Sequence, residues 1–352
     1  MTPTWQSGDG RVALKAPFPW FGGKRRVASL VWEALGDVDN YVEPFAGSLA
    51  VLLGRPGWDG TQRWTETAND ADAYLSNFWR ALYADPEAVA HYADWPVNET
   101  DLMARHLWLI NEGRKRIERM EADKDFFDAE VAGLWVWGIN SWIGAGFCAG
   151  NGCWVRAEDG QSVVKRPASG RGVNRKLPHL GNRDVGGQLR GGDALREWFC
   201  ALSARLRRVR VCCGDWKRVV TDGALAFGNT VGVFLDPPYL GDVRCRDLYR
   251  VDDDSISLAV REWCLAHTDD RRLRIVLAGY HQEHADAMPP AWRCHRYSAN
   301  AAYQTSAAAE RGTGGNMSNR HNEALWFSPS CLDGTCCDAP LFDPPTHQEA
   351  AG

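Results

Sequence analysis

The residues best placed to do chemistry are Asp236, Pro237, Pro238 and Tyr239, which close the apolar run 230–236. Pro237 fixes its own φ and keeps the residue before it extended, so Asp236 is held at a strand tip. Pro238 stiffens the turn in the same way. A carboxylate, a locked carbonyl and a planar ring then stand in a row. That set fits an exocyclic amine on a flat base: Asp236 and the Pro237 carbonyl accept its two N–H protons, and Tyr239 stacks on the ring. A plain strand-ending turn explains the prolines but not the flanking acid and ring.

Three other short stretches follow predicted strands. "EPFAGS" (43–48) is a small-residue turn that lets backbone approach a ligand closely. "AND" (68–70) puts Asp70 where an acid holds ribose hydroxyls; a helix cap shared among Asn69, Asp70 and Asp72 is the plainer reading. "CGDW" (213–216) offers Asp215 to a purine amine and Trp216 to its ring face, or else a cap and a core tryptophan.

The elements that must carry these residues alternate. Helical spacing over 24–35, a strand over 40–45, a helix over 48–54 opened by Ser48, a strand over 63–70 and a helix over 71–84 make a parallel α/β unit. The rhythm resumes with a helix at 193–206, strands at 207–213 and 230–236, a helix at 255–268, and strands at 272–280, 292–299 and 321–328. Seven strands result, mainly parallel, the last two an antiparallel pair at the edge. In such sheets ligands bind beyond the carboxyl ends of the strands, where all four stretches fall. Between the two halves, 85–192 reads as an insertion with a helical base and a basic, Gly-rich tip.

The chain has 352 residues, 45% hydrophobic and 24% charged, with a net charge of −5. This suits one large domain with an insertion. Bulk charge does not announce a nucleic-acid binder, but twelve Lys and Arg against three acids between 161 and 210 form either a solvated face or a phosphate track. The first residues do not read as a secretory leader, and no apolar run reaches membrane-span length. The 11 cysteines therefore read as reduced thiols in a cytosol. Cys331, Cys336 and Cys337 lack the partners that would complete a metal site, so no metal is expected. The spacing G-x-G-x-x-G is absent, which disfavours a nicotinamide enzyme.

"PFPWFGGK" (17–24), "YVEPFAGS", "ND" (69–70), "CGDW" and "LDPPY" occur in an order that resembles Dam-type DNA adenine-N6 methyltransferases. "LWVWGINSWIGAGFCAGNGCW" is loosely similar to the segment leading into that family's target-recognition loops, and "NRHNEALWFS" to its last strand. The resemblance implies a Rossmann-like, seven-stranded class I sheet with an inserted target-recognition region. The catalytic domain would comprise 1–84 and 193–328, the insertion 85–192, and a disordered tail 329–352.

It implies S-adenosylmethionine as cofactor. Trp20 and Lys24 would bind its methionine portion, Lys24 pairing with the carboxylate. Glu43, Pro44, Phe45 and Gly47 would form the cofactor loop, Asp70 would hold the ribose, and Asp215 and Trp216 the adenine; Asp236 would border both cofactor and target base. The family often has a second glycine two positions after the first in that loop; here Leu49 stands there.

The activity implied is site-specific methylation of a flipped adenine in double-stranded DNA, in the cytoplasm of a bacterium or phage-infected host. The rivals are cytosine-N4 transfer and a catalytically silent DNA-binding protein of the same fold. The oligomeric state is left open, a monomer included.

Overall fold

The fold is described from a computed structural model covering residues 14–20, 24–123, 125–143, 147–148, 154–156, 163–165, 192–238, 253–297 and 323–333. Nine strands occur among these: β1 (Asn40–Glu43), β2 (Thr65–Asp70), β3 (Trp154–Arg156), β4 (Val163–Lys165), β5 (Val209–Cys213), β6 (Val231–Leu235), β7 (Leu273–Tyr280), β8 (Arg293–Tyr297) and β9 (Glu323–Phe327). Seven form one sheet in the order β5-β2-β1-β6-β7-β9-β8. β5, β2, β1, β6 and β7 are parallel. β9 runs against both β7 and β8, so the reversed pair does close the edge. The order turns outward in both directions from β1 and β6, and the crevice of an α/β sheet opens at such a switch point.

Local chemistry explains the elements. Every residue of β6 is buried, with Val231, Val233, Phe234 and Leu235 at most 1% exposed, as a central parallel strand requires. Each such side chain contributes roughly 1.5–3 kcal/mol relative to exposure.

The helices are α1 (Ala28–Leu35), α2 (Ala50–Leu53), α3 (Ala73–Ala84), α4 (Pro86–Ala93), α5 (Glu99–Trp108), α6 (Arg114–Ile117), α7 (Ala129–Ser141), α8 (Gly192–Leu206), α9 (Asp222–Leu225), α10 (Asp253–Ala266) and α11 (His281–His284). Asp72, Asp85, Asn98 and Asp128 cap α3, α4, α5 and α7 with side-chain oxygens that accept the first free N–H groups. A π-helical turn, Leu109–Gly113, separates α5 from α6, and its Leu109 carbonyl accepts from the Tyr74 hydroxyl at 2.7 Å.

α7 packs on α3 and α4, and α8 on α4, so one hydrophobic cluster runs from the sheet face through the helices of 85–141. Behind the sheet, Glu66 of β2 is clasped by Arg205 of α8 at 2.6 and 2.9 Å and by Arg55 at 3.3 Å, all three buried. This tie fixes β2, and hence its tip, against the helix that re-enters the sheet.

Three local expectations change. Ser48 does not cap α2: the helix begins later, after Leu49, whose φ of 55° places it in the left-handed region with no side-chain cap. The predicted helix 24–35 is a 3-10 turn, Lys24–Arg26, followed by α1. β3 and β4 form an antiparallel hairpin within the insertion that was not among the predicted strands, since three-residue strands are too short to show a period. Beyond β9, Leu332 N donates to the Ala34 carbonyl at 2.8 Å and Cys331 is buried; 334–352, with Cys336 and Cys337, lie outside the described residues. Most of the basic tip and the loop 306–320 lie outside them too.

Candidate active site

The turn leaving β1 passes beneath Trp20. Gly47 has a φ of +46°, and a Cβ there would lie 2.5 Å from the Trp20 indole nitrogen, so only glycine fits. Its N–H donates to Asp70 Oδ2 at 2.9 Å, and its carbonyl accepts from Trp79 Nε1 at 3.3 Å. Leu49, two residues on, repeats the left-handed backbone while its side chain is fully buried.

Glu43 sits at the root of this turn, buried, with Oε2 accepting from the Tyr41 hydroxyl at 3.0 Å and from Leu52 N at 3.2 Å. Burial, reinforced by the nearby charge of Asp236, pushes its pKa up to about 8. It sits at the base of the site with its Oε2 held by two donors.

The tip of β2 divides its labour. Asp72, not Asp70, caps α3, accepting from Tyr74 N at 2.8 Å and Leu75 N at 3.2 Å. Asp70 is half-buried; Oδ1 accepts from Asp72 N at 2.9 Å while Oδ2 takes Gly47 N. Burial pushes its pKa up to about 6. Asn69 Nδ2 donates to the Pro44 carbonyl at 3.0 Å and to the Gly214 carbonyl at 2.9 Å, stitching the turns after β1 and β5 together. This bridging role is not visible in sequence, because Asn69 bonds turns remote in the chain.

After β5, Asp215 is exposed and caps a short 3-10 turn through Lys217 N at 2.8 Å. Trp216 is buried and packs on Phe45, with ring centroids 6.0 Å apart and planes at 33°. The two predicted aromatic and loop positions do meet, as neighbours in one apolar floor.

At the tip of β6, Asp236 Oδ2 lies 3.0 Å from Lys24 Nζ. Lys24 is buried, while the Asp236 side chain keeps 20% exposure beside it. Pro237 is buried and Pro238 half-buried. Tyr239 lies outside the described residues. Trp20, Lys24, Glu43, Pro44, Phe45, Gly47, Asp70, Asp215, Trp216 and Asp236 therefore gather on one rim, at or beside the ends of β1, β2, β5 and β6.

Residues 20–128 match the family model described as D12 class N6 adenine-specific DNA methyltransferase. The chain carries a methyltransferase domain of that class. No curated protein matches it. The methyltransferase is thus an enzyme that moves a methyl group from S-adenosylmethionine to N6 of adenine in DNA. The matched residues contain Trp20, Lys24, the turn after β1 and Asp70; Asp215, Trp216 and the β6 tip lie beyond them.

Along this rim the Trp20 indole closes over Gly47, Asp70 presents a carboxylate at the tip of β2, and Phe45 with Trp216 forms an apolar wall, a lining compatible with a nucleoside that carries a charged amino-acid tail. Among the described residues no cluster of three or more His, Cys, Asp or Glu could hold a metal, and no helix is long and apolar enough to cross a membrane.

Proposed function

We propose that the rim between β2, β1 and β6 is the methyl-transfer site, with its residues in the following roles. Asp70 accepts from ribose hydroxyls, the turn Glu43–Gly47 lies against the cofactor backbone, Trp20 covers it, and Asp215 with Trp216 borders its adenine. Lys24 stands behind Asp236 and within the same rim that takes the methionine carboxylate, so one cation serves both anions.

S-adenosylmethionine supplies the activated methyl group. The chain supplies orientation. Asp236 accepts one N–H of the target amine and the Pro237 carbonyl the other, which turns the nitrogen lone pair out of conjugation and toward the methyl carbon. Tyr239 stacks on the base. The amine gains a carbon and loses one proton, for which Asp236 is the adjacent acceptor. Positioning of this kind is the main source of rate in a direct displacement.

An adenine inside a duplex cannot reach the β6 tip, so it is extruded from the stack first. The insertion 85–192 provides the target-recognition region, phosphates meeting its basic residues and base edges its loops. The cytoplasm is the compartment that this substrate and the free thiols suit.

The single observation carrying this reading is the 3.0 Å pair of Lys24 and Asp236. It joins the matched part of the chain to the strand tip that the match leaves out. The test is Asp236→Ala, compared with the unaltered enzyme for DNA binding and for transfer of labelled methyl, with the product hydrolysed to nucleosides. Binding retained with label lost from N6-methyladenine is expected; undiminished transfer rejects the role.

A further inference from the structure

A cleft of about 280 Å3 opens between α4, α5, α7 and α8, away from the strand tips. Tyr92, Asp94, Trp95, Arg105, Leu134 and Arg196 line it, none of them part of the rim described above. Trp95 is 47% exposed and Tyr92 36%, large rings that a helical layer would ordinarily cover.

The rings and cations here are built in place. The Arg105 guanidinium lies between the indoles of Trp95 and Trp137, 4.7 and 4.4 Å from their centroids. Trp95 Nε1 donates to Asp101 Oδ2 at 2.7 Å, and Trp137 Nε1 donates to the Trp95 carbonyl at 2.8 Å. Arg105 Nη1 is buried and has no acceptor among the described residues. Buried donors are seldom left so, and an oxygen or ring nitrogen entering the cleft would satisfy this one. Arg196 adds a second, half-exposed guanidinium, paired among the described residues at long range, 3.8 Å to Glu87 and 3.7 Å to Asp193.

We propose that this cleft is a second nucleotide site, taking one unstacked base of the DNA substrate against Trp95. Arg105 and Arg196 donate to its carbonyl, ring nitrogen or phosphate oxygens, and Asp94 faces its amine protons. The volume lies just below the usual range of ligand pockets, about 300–1,000 Å3, which admits a single planar group and excludes a peptide segment. Arg105 and Arg196 are offset by Asp94 and Asp101, so the cleft selects by stacking and hydrogen bonding more than by net charge. Aromatic faces edged with arginine are the general solution for holding unpaired bases.

The inference rests on the methyltransferase reading for its substrate class. Its test uses the full chain and a single-stranded deoxyoligonucleotide beside an abasic oligonucleotide of equal length, followed by fluorescence polarisation. Base stacking predicts that Trp95→Ala weakens the first by about tenfold and the abasic strand little. Trp95→Phe keeps most of the affinity, and Arg196→Ala loses severalfold on its own. S-adenosylhomocysteine binding stays unchanged in all three, which certifies the fold. Equal affinity of wild type for both oligonucleotides would mark a mere anion site and overturn the proposal, as would a folded Trp95→Ala that binds normally. If that happens while Asp236→Ala still abolishes transfer, the active-site assignment stands and only the cleft is lost; the reverse pattern separates the two equally.

Discussion

Lys24 Nζ sits 3.0 Å from Asp236 Oδ2, a contact between the start of the 3-10 turn Lys24–Arg26 and the tip of the central strand. The lysine is buried, and this carboxylate is one of the groups that hold its charge. Removing it takes a fixed cation away from Asp236. Lys24→Met should lower kcat by about 100-fold, in line with loss of a positioned acid–base group, while duplex affinity in a binding assay changes little. Lys24→Arg keeps charge but not length, and should fall between. A Lys24→Met enzyme with unaltered kcat would mean that the pair is incidental.

Asp70 leads to a prediction about pH. Burial lifts its pKa to about 6, and a carboxylate accepts from hydroxyls better ionised than protonated. Cofactor binding should therefore hold steady above pH 6 and weaken as pH falls below it. Calorimetric titration of S-adenosylhomocysteine between pH 5 and 8 measures this directly. Asp70→Asn should bind weakly throughout and lose that pH step; a step that persists in the variant belongs to another group.

The parts of this site that sequence makes legible are those coded locally. Asp236-Pro237-Pro238 announces itself because proline restricts its neighbours whatever surrounds them, and the buried run of β6 shows as unbroken apolar residues. The helix cap at 70–72 is legible only as a choice, and Asp72 takes it because its oxygen reaches the free N–H groups of Tyr74 and Leu75. What stays hidden depends on distant partners. Asn69 looks like any turn residue until Pro44 and Gly214 are brought to its amide. The resemblance pairs Lys24 with a cofactor carboxylate, and nothing local shows Asp236 beside it. The β3–β4 hairpin is too short to carry a pattern.

Glu43 links the site to stability, with an unusual sign. Its folded pKa, about 8, lies above the ordinary 4.5 because burial disfavours its charge. Between these values the unfolded chain releases the proton and the folded one keeps it. Stability therefore falls as pH rises through this window and levels off above pH 8. The contribution has a limiting slope of about 1.4 kcal/mol per pH unit. Glu43→Gln keeps an oxygen for the Tyr41 hydroxyl and Leu52 N but cannot ionise. Urea midpoints should show the variant gaining on wild type steadily from pH 5 to pH 8. A constant difference would show that Glu43 is already charged in the folded protein.

Leu49 offers the sharpest local test, because its backbone and side chain pull in opposite directions. Its φ of 55° favours glycine, yet its side chain is fully buried in the main core cluster. Truncation to alanine forfeits the burial and keeps the strained backbone; glycine forfeits the burial but relieves the strain. A left-handed L-residue carries roughly 1–2 kcal/mol of strain, while loss of a buried leucine side chain costs about 2–5 kcal/mol. Both variants should be less stable than wild type. Leu49→Gly should nonetheless be more stable than Leu49→Ala by about 1 kcal/mol, the reverse of the order at a helical or extended position. Chemical denaturation of the two side by side decides it. An alanine variant as stable as the glycine one would show that the turn relaxes, and that the Gly47–Leu49 path is not imposed by the Asp70 and Trp79 bonds that flank it.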